Sequence, residues 1–324
     1  MPGKLIVDEI EDSGGTSVIG RKNYLINGNF DIWQRGTSLT GQTGDVYLCD
    51  RWKAEASGST YSYQQGSFTA GQTDVPNNPK YFVNITVTGA DDFARIEQRI
   101  EDVNTLSGQT VTFSFYAKYT TNQPTDMRIQ LTQVFGSGGS STVNTDLTPD
   151  FTLTTSWQRF SYTTTVPSVS GKTIGSGSYI GFRIMNPNNE VSDFQIAQAQ
   201  VELGSVATDF EYRPIGEERL LCYRYYYRFD DHTYVGAGGW NTSSYAVVTV
   251  TLPTVMRAEP SLSYSALSDL DIEPMDHQPT SVTNSTPSTW SQGVRLYASH
   301  SGLYDAAQLM IDTDNGYVDF DAEL

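Results

Sequence analysis

The sequence predicts an all-β protein: a jelly-roll β-sandwich, then a smaller C-terminal β-sandwich, with one short connecting helix. Three observations carry this. The 324 residues include 20 Tyr, 14 Phe and 28 Gly, a composition that favours strands and turns over helices. Apolar residues recur at every second position through many short runs, as in strands with one buried face. Turn clusters such as Gly136-Ser137-Gly138-Gly139-Ser140 separate those runs, with no long helical periodicity between them.

In chain order, residues 1–22 read as an arm. Lys4-Leu5-Ile6-Val7-Asp8-Glu9-Ile10 could form one strand, and Asp12-Ser13-Gly14-Gly15 breaks it. Residues 23–213 form the jelly roll, with strands expected at Tyr81–Val87, Val111–Ala117, Met127–Val134, Trp157–Val166, Tyr179–Met185 and Phe194–Leu203. Residues 214–228 are a helical and aromatic linker. Pro214 precedes Gly216-Glu217-Glu218-Arg219-Leu220-Leu221-Cys222-Tyr223, with acids early and Arg219 and Arg224 later, suiting the helix dipole. Residues 229–324 are the second β domain, with runs at Tyr245–Leu252, Ser261–Tyr264, Val294–Tyr297 and Tyr317–Phe320. No repeat of fixed period marks a propeller or β-helix.

Charge and cysteine content narrow the function classes. A net charge of −17 opposes binding to a phosphate backbone or an anionic membrane over most of the surface. Leu5-Ile6-Val7 runs straight into Asp8-Glu9, so the first residues lack a signal-peptide core, no run is long enough to span a bilayer, and folding in a cytoplasm is expected. Cys49 and Cys222 read as free core thiols.

Catalytic constellations are missing from the sequence, which predicts that the protein is not an enzyme. His232, His277 and His300 lie in no Gly-x-Ser-x-Gly elbow, His-Glu-x-x-His pair or Cys-His arrangement. Asp91-Asp92 and Asp230-Asp231 could supply paired acids, but adjacent acids in such loops are ordinarily solvated turn residues.

Three stretches carry a family resemblance. Asn23-Tyr24-Leu25-Ile26-Asn27-Gly28-Asn29-Phe30-Asp31 and Asp50-Arg51-Trp52 resemble the opening of carbohydrate-binding-type jelly rolls in minor virion proteins of short-tailed phages. Trp157-Gln158-Arg159-Phe160 and Ile196 to Gly204, running into Phe210-Glu211-Tyr212-Arg213-Pro214, look like its closing strands. The part from Leu220 through Met256-Arg257-Ala258-Glu259-Pro260 to Phe320-Asp321-Ala322-Glu323-Leu324 is similar to terminal domains of phage tail fibres.

The resemblance implies a homotrimeric tail-fibre or receptor-binding appendage of a virion, made in the host cytoplasm. It would attach to other virion proteins through residues 1–22 and contact a host surface glycan. A non-binding decoration or adaptor protein and a polysaccharide depolymerase are the alternatives. No cofactor is expected beyond a structural calcium ion, which the family pattern would place at Asp31 and Gln198; glutamine stands where the family often has aspartate, so the ligand set is one charge short.

Sugars stack on exposed aromatic faces. Trp33, Trp52 and Trp157 fall in strand-like runs and are expected in the core. Trp240 and Trp290 fall in polar, loop-like contexts and are the glycan-binding candidates, with Tyr234, Asn241 and His300 as companions. Tyr223, Arg224, Tyr225, Tyr226, Tyr227 and Arg228 form an aromatic and basic run expected at the subunit interface.

Overall fold

The computed structural model describes residues 22–89, 93–125, 127–186, 190–242, 245–273, 278–285, 293–299 and 307–324. The 1–22 arm thus lies outside the described residues except for Lys22, as do His277, Trp290, His300 and Asp91-Asp92. Among the described residues no helix is long and apolar enough to cross a membrane. Two compact units divide at Pro214, with Ile215–Glu323 forming the second and Leu324 grouping with the first.

The first unit is a two-sheet jelly roll. Its strands are β1 (Ser38–Gln42), β2 (Val46–Cys49), β3 (Trp52–Ser57), β4 (Thr60–Ser67), β5 (Tyr81–Gly89), β6 (Phe93–Glu101), β7 (Thr110–Lys118), β8 (Met127–Val134), β9 (Val143–Phe151), β10 (Gln158–Thr165), β11 (Tyr179–Met185) and β12 (Ser192–Leu203). One sheet runs β1-β4-β5-β12-β7-β10 and the other β2-β3-β6-β11-β8-β9. The period-two pattern explains both faces. On β6, Ala94 and Ile96 point inward while Arg95, Glu97 and Arg99 point outward; on β11, Ile180, Phe182 and Ile184 alternate with Tyr179, Gly181 and Arg183. Phe113 joins the sheets in the core, its ring 5.6 Å from that of Phe182. Pro149 is tolerated because β9 is an edge strand.

The opening motif is a hydrogen-bond hub. Asn27 is fully buried; its Nδ2 donates to the carbonyls of Ile32 and Asp50 at 2.9 and 3.0 Å, and its Oδ1 accepts from Asp31 N and Ile32 N. Trp52 Nε1 donates to Asn27 O at 3.0 Å. Gly28 is required by close approach, since a Cβ there would meet Ala199 O at 2.2 Å. Asn23 and Arg213 then tie the first segment to the last: Asn23 Oδ1 accepts from Val201 N, and Arg213 Nη1 donates to Leu25 O.

The second unit begins with helix α1 (Ile215–Tyr223), followed by β13 (Tyr226–Asp230), β14 (Tyr234–Thr242), β15 (Tyr245–Thr251), β16 (Ser261–Tyr264), β17 (Leu270–Glu273), β18 (Ser281–Ser285), β19 (Gly293–Ser299), β20 (Ala307–Ile311) and β21 (Tyr317–Asp321). They form sheets β13-β21-β16 and β17-β20-β14-β15-β19-β18. The acidic first turn of α1 is present as expected, but its last turn carries no basic residue, because Arg219 lies mid-helix and Arg224 follows its end. Cys49 and Cys222 are buried and form no disulfide.

Candidate functional site

The outward face of the sheet β2-β3-β6-β11-β8-β9 holds a groove of about 530 Å³. Lining it are Asp45, Glu55, Phe93, Arg95, Arg99, Val134, Thr142, Asn144, Tyr179 and Arg183. The pairing register brings them together: Glu55 lies opposite Arg95, Arg183 opposite Glu97 and Gln130, and Thr132 opposite Asn144.

Two carboxylates organise the groove. Glu55 accepts from Arg95 and Arg99 at 2.7 and 2.5 Å and pairs with Lys53 at 3.1 Å. Burial pushes its carboxyl up, but Arg95, Lys53 and Arg99 outweigh that and hold it at about 2. Glu97 is wholly buried and accepts from Arg183 Nε at 3.1 Å, with Arg99 Nε at 3.4 Å from its other oxygen. Gly181 makes room for it, since a Cβ there would lie 2.2 Å from Glu97 Oε1. Phe93 and Tyr179 supply aromatic surface, with Arg95 4.3 Å above the first ring and Arg99 4.5 Å above the second. Such a floor, with rings flanked by guanidinium and amide groups, can stack a flat apolar face and bind hydroxyls at once.

None of the groove residues is among the aromatics that the sequence singled out. Their signal was present in Phe-Ala-Arg-Ile-Glu-Gln-Arg-Ile-Glu, residues 93–101, where charges repeat at period two. The expected glycan-binding residues fare differently. Trp240 and Asn241 lie on strand β14, with Trp240 paired to Ala246, which corrects their placement in a loop. The glycines that suggested a loop serve close strand approach: a Cβ on Gly238 would meet Val247 O at 1.9 Å. Tyr234 opens β14 and is exposed. Trp52 is fully buried, whereas Trp33 is only half-buried against the core. Trp157 is also half-buried and packs with Phe68 and Phe82 beyond the end of β10.

The run Tyr223 to Arg228 is absorbed by the second unit. Tyr225 and Tyr226 are buried, so neither is the open interface residue expected of it. Tyr223, Arg224, Tyr227 and Arg228 are half-buried; the Tyr227 ring lies 4.9 Å from those of Tyr223 and Phe229. Asp231 and His232 occupy a left-handed turn, and His232 meets Asp314 at 2.9 Å with both exposed.

The expected calcium ligands fit a hard cation in part. Gly28 O accepts from Ala199 N at 2.8 Å, which sets Asn29 and Gln198 beside that bond. Asn29 Oδ1 and Gln198 Oε1 are buried without a hydrogen-bond partner among the described residues, while their amide nitrogens donate to Asp31 Oδ2 and Pro76 O. Burial raises the Asp31 pKa, against the hydrogen bond from Asn29 and the charge of Lys80. Among the described residues no three His, Cys, Asp or Glu side chains cluster, so these amide oxygens and Asp31 would be the ligands.

The first unit is a layered jelly-roll sandwich whose first and last segments are tied by the Asn-rich opening. Residues 22–175 match the family described as "Carbohydrate binding domain". The chain is similar, at 13% identity, to the CBM22-1 xylan-binding domain of Paenibacillus barcinonensis Xyn10C, covering 52% of this chain and 94% of that one with a TM-score of 0.34. Its likeness to the enzymatically active domain of tailspike protein 4 of Bacteriophage CBA120 is also 13% identity, over 56% of this chain and 21% of that one, TM-score 0.33. A cyclase from Fischerella sp. TAU is 10% identical over 58% of this chain and all of that one (100%), TM-score 0.38. No curated protein matches.

Proposed function

We propose that the protein binds a surface glycan in the groove over β6, β11 and β8, and does so as a non-catalytic appendage of a phage particle. The observation that carries the binding reading is the groove itself: Tyr179 and Phe93 stand among guanidinium and amide donors on an open sheet face, in a unit whose residues 22–175 match a carbohydrate binding domain. The virion role, a trimeric assembly and attachment through residues 1–22 rest on the resemblance of the opening, closing and C-terminal motifs to phage fibre proteins.

Replacing Tyr179 by Ala should weaken binding to purified host-surface polysaccharide by about tenfold or more, as for an aromatic hot spot, with the circular dichroism spectrum unchanged. Unaltered affinity would overturn the groove assignment. A loss on Tyr234→Ala instead would move the site to the second unit, and release of oligosaccharide would favour the depolymerase. Removing residues 1–22 should leave a folded protein that no longer enters particles; normal incorporation would sink the docking arm. For calcium, adding 1 mM of the ion should raise the melting temperature of the wild type but not of Asp31→Asn, with a gain of about 1–2 kcal/mol if the site is ten times over its dissociation constant. Equal responses would exclude Asp31 as a ligand.

A further inference from the structure

We infer that the groove selects acidic glycans, holding a sugar carboxylate between Arg95 and Arg183; the inference rests on the glycan-binding reading above and names its ligand class. Within the lining, Arg95, Arg99 and Arg183 meet two acids, Asp45 and Glu55. Their nitrogens are not equally used. Arg99 pairs with Glu55 and Glu97, and its Nη1 donates to a backbone carbonyl. Arg95 spends Nε and Nη2 on Glu55 at 2.7 and 2.6 Å. Arg183 spends Nε on Glu97, and Nη1 on Gln130 and Asn144 at 2.9 and 3.3 Å.

Arg95 Nη1 and Arg183 Nη2 are thus left without a partner among the described residues, and neither is sealed away as a buried orphan. Arg95 lies opposite Met185 and Arg183 opposite Glu97, so the two arginines are diagonal neighbours on adjacent strands, about 7–8 Å apart at the backbone. Both are already oriented by carboxylates, so the ordering cost of a second ion pair is largely met before a ligand arrives. An incoming carboxylate would form charge-assisted bonds with these two groups without displacing an internal pair.

A neutral sugar has less to gain here. One face of Phe93 and one of Tyr179 already carry a guanidinium, so stacking area is limited. Asp146 and Glu101 lie on the same face but outside the lining, where they would discourage acidic chains from binding off-site.

The test compares the full chain on three acidic polymers, polygalacturonate, glucuronoxylan and hyaluronan, each against its carboxyl-reduced form, by affinity electrophoresis and calorimetry. At least one native polymer should bind about tenfold or more tighter than its reduced partner, with the gap narrowing as salt rises. Arg95→Gln should close most of that gap, and Arg95→Lys, which keeps the charge but not the fork, should close it in part. Equal binding of native and reduced polymers, with Tyr179→Ala weakening both, would overturn the acidic preference and leave the glycan site standing. Failure of every polymer to bind, or indifference to Tyr179→Ala, would remove the groove reading itself.

Discussion

Two arginine–carboxylate clusters, one in each unit, are built from the same chemistry and finish differently. In the second unit Arg228 and Asp319 form a two-pronged pair, with Nε and Nη2 each 2.7 Å from a carboxylate oxygen. The guanidinium lies 4.1 Å over the Tyr317 ring, and Ser263 adds a contact to the same carboxylate at 3.5 Å. This is a closed fork between adjacent strands β13 and β21. In the first unit Glu55 and Glu97 are shared among Lys53, Arg95, Arg99 and Arg183, and donors remain directed into a groove. A pair set between two adjacent strands and capped by a ring holds those strands together; a network that borders a groove can also meet a ligand.

The contrast is broken or upheld most directly by deleting one acid from each. Glu97→Ala takes from Arg183 its carboxylate and from Arg99 one of two, side chains only 7% and 12% exposed, so a loss of about 3–5 kcal/mol is expected in urea unfolding of the first unit. Asp319→Ala leaves Arg228, 19% exposed, able to rehydrate in part, and should cost about 1.5–3 kcal/mol. The distinguishing readout is binding, which Glu97→Ala should abolish and Asp319→Ala should leave intact. Equal effects on binding would show that the two clusters serve the same purpose.

How far these clusters were legible in the sequence depends on what set each position. Strands with an apolar inward face were readable from alternation, and Met127–Val134, Tyr179–Met185 and Ser261–Tyr264 match β8, β11 and β16 at both ends. β6 is hard to see because its outward positions are charged, and β9 because it contains a proline that only its edge position permits. β14 reads as a loop because its glycines answer to a neighbouring strand rather than to a turn. The groove was hidden for a further reason. Arg95 on β6, Arg183 on β11, Gln130 on β8 and Glu55 on β3 are far apart in sequence and meet only through register, whereas a tryptophan in a polar stretch is visible at once.

The smallest effect sharpens the comparison through pH. The Glu55 carboxyl is held at about 2 in the fold, against an ordinary 4.5. A depressed folded-state pKa contributes stability that is complete above the unfolded value and is lost as pH falls through the folded one. Wild-type protein should therefore lose stability from this group between about pH 4.5 and pH 2. Asp193, whose pKa is also lowered against burial by hydrogen bonds from Thr120, Asn122 and Thr121, likewise loses its contribution as pH falls, but it is common to wild type and variant and cancels between them. Glu55→Gln should be less stable than wild type at pH 7 and converge with it as pH approaches 2, followed by urea midpoints at half-unit steps. A gap that stays constant across that range would mean that Glu55 is not held by its cations, and the shared network would then be no more than a set of surface pairs.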